Sequence, residues 1–188
     1  MDLKKVLEKR ASVKNFSDKK VKGEDIVAAV EAANVAPSPG NVQILKYIVV
    51  GDAETKEKIA EYCRQDFIKD APVVVVVCSE DRDVKRFYDS RAGAYVKHHV
   101  GAAVENFLLK IVDLGLSACW VGAFSRGVRS LLKVPDNVTI EVILPVGYQA
   151  VKDKTVQKRK YSLNGRLFFE GWGNKYANGL EKVRRGDM

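Results

Sequence analysis

Val96-Lys97-His98-His99-Val100-Gly101-Ala102-Ala103-Val104-Glu105-Asn106-Phe107-Leu108-Leu109-Lys110-Ile111-Val112 places Val100, Ala103, Val104, Phe107, Leu108, Ile111 and Val112 on one helical face for four turns. That spacing predicts the central helix of the fold. Gly101, Ala102 and Ala103 keep part of its surface small enough for another helix to approach closely, and Gly115 supplies a C-terminal cap. On either side, Val73 to Cys78 is an unbroken, mostly β-branched run that suits a strand buried on both faces. Tyr47 to Val50 and Ser117 to Val121 read as short strands, the latter ending at Gly122, and Val138 to Leu144 reads as an alternating one. Helical spacing covers Leu3 to Arg10 (with Leu3, Val6 and Leu7 as its apolar face), Glu24 to Asn34 and Glu54 to Arg64, with a helical turn at Arg129 to Lys133. Helices and strands alternate without clean βαβ units, so the expected class is α+β rather than a doubly wound sheet. No repeat and no linker divides the 188 residues, and one domain is expected.

Composition narrows the function classes. The chain is 46% hydrophobic and 30% charged, which is the make-up of a folded domain and not of a disordered one. No apolar run approaches the roughly 18 residues that a membrane span needs. The first ten residues lack the apolar stretch of a signal peptide. Cys63, Cys78 and Cys119 are an odd number, widely spaced and without a C-x-x-C pair, which argues for a reducing, cytoplasmic setting and against a disulfide framework or a zinc site. The net charge of +8 is uneven: residues 151–188 hold 10 basic and 4 acidic residues. An anionic ligand or partner would be drawn there.

The usual catalytic motifs are missing. There is no G-x-S-x-G, no phosphate-binding G-x-x-x-x-G-K-[ST], no G-x-G-x-x-G after a strand and no H-E-x-x-H. His98 and His99 are neighbours on a helix, point about 100° apart, and cannot chelate one metal together; they read as structural or surface residues, and no metal is expected. Arg10, Ser12 and Lys14 alternate across a non-helical stretch, which puts a guanidinium, a hydroxyl and an ammonium on one side of an extended chain. Such a row suits a phosphate with a polar chain beside it. Arg159 and Lys160 could close on the same anion. A competing reading takes Lys152, Lys154, Lys158, Arg159 and Lys160, with Tyr161, Phe168, Phe169, Trp172 and Tyr176, as a nucleic-acid surface. Aromatics of this kind more often anchor a terminal segment on its own core or on a partner, so no nucleic acid is expected.

Five segments in order resemble the nitroreductase family of flavin enzymes. Lys9-Arg10-Ala11-Ser12-Val13-Lys14-Asn15-Phe16 is similar to its N-terminal signature, and Ala36-Pro37-Ser38-Pro39-Gly40-Asn41-Val42-Gln43 to its A-P-S-x-x-N-x-Q loop. Gly101 to Leu109 with Leu114-Gly115-Leu116 resembles the central helix, Cys119-Trp120-Val121-Gly122 the flavin-facing loop, and Pro145-Val146-Gly147-Tyr148 with Arg159-Lys160 the end of the pattern. Lys9 and Lys14 stand where arginine is more usual, Ile44-Leu45 replaces a frequent Pro-Trp, and His99 falls where an acidic residue is common.

The resemblance implies an α+β sandwich, a mixed or antiparallel sheet flanked by helices, in an intertwined homodimer with FMN in each of two interface sites. Arg10, Ser12, Arg159 and Lys160 match the positions for the phosphate and ribityl chain, Ala11 stands among the cofactor-binding positions, and Lys14 lies nearer the pyrimidine end. Pro37, Ser38 and Asn41 would come from the partner chain, and Gln43 stands among the cofactor-binding positions. Gln65, before the buried strand, is either an amide partner of the flavin or a surface helix end, and Val121 and Gly122 would bring backbone N–H groups towards flavin N5. The implied activity is hydride transfer from NAD(P)H to a small planar acceptor (a nitroaromatic, a quinone or a flavin) by ping-pong exchange. Specialised members instead remove halogens or fragment the flavin. A C-terminal extension, about 161–188, is expected to pack on the core or on the partner subunit.

Overall fold

The computed structural model describes residues 1–150, 163 and 165–174. They fall into two units, Met1–Val156 and Gln157–Met188. In the second unit the described residues form turns at Gly165 (φ 74°) and Gly173 (φ 86°), and the rings of Phe168 and Trp172 pair at 4.9 Å. Arg159, Lys160 and the basic run before them lie outside the described residues.

The first unit is built on four antiparallel strands in the order β1-β2-β4-β3, namely β1 Leu45–Val50, β2 Val73–Ser79, β4 Thr139–Gly147 and the two-residue β3 Ser117–Ala118. Alternation along β2 sends Val75 and Val77 to one face and Val74, Val76 and Cys78 to the other. On the first face they pack with α2 (Gly23–Asn34) and α6 (Ala92–Asp113), through Ile26, Ala29, Val104, Phe107 and Ile111. On the second they meet α3 (Ala53–Cys63), α4 (Phe67–Asp70) and α7 (Gly127–Leu131), through Ile59, Ile68 and Val128. The fold is therefore α+β, with helices covering both faces of an antiparallel sheet. Cys63, Cys78 and Cys119 are all buried in the second core.

Local sequence explains where the elements stop. Gly115 takes φ 78°, open only at low cost to glycine, and ends α6 as the Leu116 N–H donates to the Ile111 carbonyl at 2.9 Å and its own N–H to Val112 at 3.0 Å. The Asp52 carboxylate caps α3 by accepting the Thr55 N–H at 2.8 Å. Lys56 is buried, and its ammonium donates to the Ala71 carbonyl at 2.7 Å, satisfying a carbonyl at the end of α4.

Four differences from the sequence reading have physical causes. The central helix begins at Ala92, four residues before the periodic face, because Ala92 is itself buried. Strand β4 does not alternate: Val142 to Gly147 is continuously buried, since helices cover both faces. In α1 (Leu3–Lys9) Val6 alone is buried, while Leu3 and Leu7 are 64% and 48% exposed. Helices α4 and α5 (Arg82–Tyr88) gave no periodic signal because each buries a single residue, Ile68 and Val84. No helix among the described residues is long and apolar enough to cross a membrane.

Candidate functional site

After α1 the chain turns extended at Arg10 and runs beside β3. Ser12 bridges Ala118 in parallel, and the Val13 N–H donates to the Ala118 carbonyl at 3.1 Å. Val13 and Phe16 are buried against Ala71, which leaves Ser12 and Lys14 exposed on the opposite side, as the alternation predicts. Arg10 Nε lies 3.3 Å from Glu105 Oε1, tying the start of the row to the middle of α6. Lys14 Nζ sits 5.3 Å over the Phe67 ring. Ala11 is half-buried between these residues.

The row abuts the loop after β3. Burial pushes the Cys119 thiol up from its ordinary value, and the Lys14 charge and a Ser12 hydrogen bond oppose that shift. The Val121 N–H donates to the Ile143 carbonyl at 3.0 Å, and the Val121 carbonyl accepts from Ile143 at 3.0 Å. Both backbone groups of Val121 are thus committed to the sheet. Gly122 differs: it is exposed, and no backbone bond among the described residues engages its N–H. A Cβ built there meets only Trp120 Nε1, at 3.7 Å. Of the two residues expected to offer an N–H, Gly122 alone has one to offer. Gln65 follows α3, where its N–H donates to Ala60 and its carbonyl accepts from Ile68; it stands two residues before Phe67.

Pro37, Ser38, Asn41 and Gln43 gather elsewhere. Gly40 and Asn41 take φ 60° and 59°, and Gln43 Nε2 reaches Ser38 Oγ at 3.5 Å. A Cβ on Gly40 would come within 2.9 Å of the Tyr88 hydroxyl, so this loop presses on α5. Pro37, Ser38 and Pro39 line a cavity of about 390 Å³ with Tyr88, Tyr95, His98 and His99. No hydrogen bond, ion pair or ring contact among the described residues joins this group to the Arg10–Lys14 row.

Sequence reasoning missed Glu105, Phe67 and the two tyrosines. The last had a partial signal, because Tyr95, His98 and His99 follow the i, i+3, i+4 spacing of one helix side. His99 is 2% exposed and neither ring nitrogen has a partner, while burial holds its pKa below the ordinary 6.5. Because the folded value is the lower one, the unfolded chain takes up the proton first as pH falls. The stability owed to neutral His99 is complete above about 6.5 and declines as pH drops towards the folded value, by up to ~1.4 kcal/mol per pH unit. Urea unfolding at about pH 7.5 and about pH 5.5 should therefore show wild-type protein losing more stability than His99→Leu. Equal losses would place His99 in solvent.

Against known proteins, residues 7–66 and 61–148 match the profile of the nitroreductase family. The chain belongs to the nitroreductase family. It is accordingly an oxidoreductase, and the family's cofactor is FMN. An Archaeoglobus fulgidus protein, described as a candidate NADH dehydrogenase/NAD(P)H nitroreductase, is 32% identical over 150 residues, covering 77% of this chain and 83% of its own. An iodotyrosine deiodinase of Thermotoga neapolitana is 29% identical over 167 residues, covering 74% of this chain and 84% of its own. The NADPH:FMN oxidoreductase of Vibrio harveyi, solved with NAD+, shares the fold at a TM-score of 0.80 and 15% identity, covering 100% of this chain and 85% of that one.

Proposed function

We propose that the protein is an FMN-dependent oxidoreductase that takes hydride from NAD(P)H and passes it to a small planar acceptor (a nitroaromatic, a quinone or a flavin) by ping-pong exchange through one site. The observation that carries this reading is the row of half-buried Arg10 and exposed Ser12 and Lys14, paired through Ser12 to Ala118, four residues before the exposed and open backbone of Gly122. The residues fit the group. A guanidinium and a hydroxyl suit a terminal phosphate and a ribityl chain, the Lys14 charge suits the pyrimidine end of the ring, and a loop without a Cβ lets a flat ring approach the main chain. When bound, FMN supplies hydride chemistry at N5; the protein supplies orientation, local charge and a free N–H.

A homodimer is part of the proposal. Pro37, Ser38, Asn41 and Gln43 stand apart from the Arg10–Lys14 row within one chain, and a second copy would supply them. The exposed Leu3 and Leu7 on α1, with Val35 at the end of α2, offer apolar surface for such a contact.

Releasing the chromophore and identifying it by mass spectrometry tests the proposal. FMN is expected; FAD, or no flavin after reconstitution, would overturn it. Arg10→Ala should weaken FMN binding by about 1.5 to 3 kcal/mol, the range for a hydrogen bond to a charged group, or roughly 10- to 150-fold in Kd. Thermal stability should barely change, because the half-exposed pair with Glu105 contributes at most about 1 kcal/mol. An unchanged Kd would remove Arg10 from the site.

A further inference from the structure

We propose that the open cavity between α7 and the first residues of β4 is a phosphate-monoester site, with Arg126 as its recognition cation. The site is separate from the Arg10–Lys14 row and does not depend on the flavin reaction proposed above.

Three observations converge. First, the cavity has about 560 Å³, the size of a small-molecule site, and it holds free donors. The Arg126 guanidinium lines it with no hydrogen bond or ion pair among the described residues. The hydroxyls of Ser125, Ser130 and Thr139 line it as well and are equally unengaged. A guanidinium fork with hydroxyls around it suits the three terminal oxygens of a phosphate monoester better than the two of a carboxylate.

Second, the walls are fixed without a ligand. Arg129 is committed to the main chain: Nη1 donates to the Val134 carbonyl at 3.2 Å and to the Pro135 carbonyl, and Nη2 to the Val138 carbonyl at 2.7 Å. These bonds set the turn from α7 into β4. On the other side the Ser125 N–H donates to the Tyr62 carbonyl at 2.9 Å. Gly127 lets the Tyr62 ring pack where a Cβ would come within 2.4 Å of it. Arg126 stands between these two anchors, held in place by its backbone with its side chain left over.

Third, the charge is uncompensated. Asp136 is the one carboxylate that lines the cavity; it is fully exposed and 4.0 Å from Arg129 Nη1, so water and Arg129 screen it. Phe124 and Ile140, both half-buried, add an apolar floor for the sugar or base that carries the phosphate.

The place in the fold bears on the source of the ligand. Val121 bridges Ile143, which is three residues along β4 from Ile140, a strand distance of roughly 10 Å. The cavity therefore opens a short step beyond the Gly122 loop, on the side away from Ser12 and Ala118. Two sources share the required chemistry: the 2′-phosphate of NADPH and a free sugar or nucleoside phosphate.

Calorimetric titration of the purified holoprotein with adenosine 2′-phosphate, adenosine 5′-phosphate and adenosine tests the site. At least one phosphate is expected to bind at least tenfold more tightly than adenosine. Arg126→Ala should weaken that phosphate roughly tenfold, in the range for hydrogen bonds to a charged group, and Arg126→Lys should recover part of the loss. Because Arg126 is exposed and unpartnered, neither variant should change Tm. Steady-state kinetics separate the sources. A KM for NADPH that rises in Arg126→Ala, with kcat and the KM for NADH unchanged, assigns the dinucleotide 2′-phosphate. Both KM values unmoved while phosphate binding is lost assigns a separate phosphorylated ligand. Phosphates that bind no better than adenosine, or equally well to wild type and Arg126→Ala, would overturn the inference. Protein without flavin would refute the proposed function, while the calorimetry would still read this cavity.

Discussion

Gly122→Phe is expected to yield folded protein that still binds FMN but is bleached by NAD(P)H at least 100-fold more slowly under anaerobic conditions. The fold should survive because Gly122 is exposed, lies outside the left-handed region, and presents only Trp120 Nε1 at ordinary contact distance to a new Cβ. The reaction should not, because with the flavin held beside this loop as proposed, a benzyl group would occupy the face on which the loop meets the ring. Hydride transfer needs reacting atoms about 3–3.5 Å apart, and a displacement of about 1 Å can cost 100-fold. Stopped-flow absorbance at flavin wavelengths measures the rate. Wild-type bleaching in the variant would show that the reactive face lies elsewhere, even with the family assignment intact.

Phe107→Ala should have the largest effect on stability. Phe107 is fully buried at the centre of α6, among Ala103, Val104, Ile111 and the sheet residues Val75 and Val77. Removing the ring loses its transfer free energy and leaves a hole that close-packed neighbours fill only in part. The expected cost is about 3–5 kcal/mol, a large share of the roughly 5–15 kcal/mol that holds a domain together. At about 2–4 °C per kcal/mol for a chain of this size, Tm should fall by roughly 6–20 °C. A urea denaturation series measures it, and a change below about 1 kcal/mol would contradict the packing.

These two residues also mark what could be read in advance. Phe107 belongs to a face whose period runs for four turns, and β2 to an apolar run that admits one conformation; both signals are local, so α6 and β2 were legible. The Arg10–Lys14 row was legible for the same reason, since a period of two needs only neighbouring residues. What stayed hidden depends on distant segments meeting. Glu105 reaches Arg10 only after α6 packs beside α1, and nothing in either segment announces the pair. Val121 looked equivalent to Gly122 until Ile143 claimed both its backbone groups. The His99 cavity needs the Pro37–Pro39 loop, α5 and α6 in one place, and α5 itself has too little apolar residue content to be seen.

The three cysteines carry a practical consequence. All are buried, and desolvation raises Cys63 and Cys78 to about 11 and Cys119 in the same direction, so at neutral pH they hold their protons. Thiolates are the species that alkylate. The native chain is thus chemically quiet towards maleimides and spin-label reagents. A single cysteine engineered at the 55% exposed Val49, away from the α1 and α2 surface proposed for the dimer contact, would carry the label alone, and dipolar spectroscopy between two such labels would report how the copies of this chain are arranged in solution.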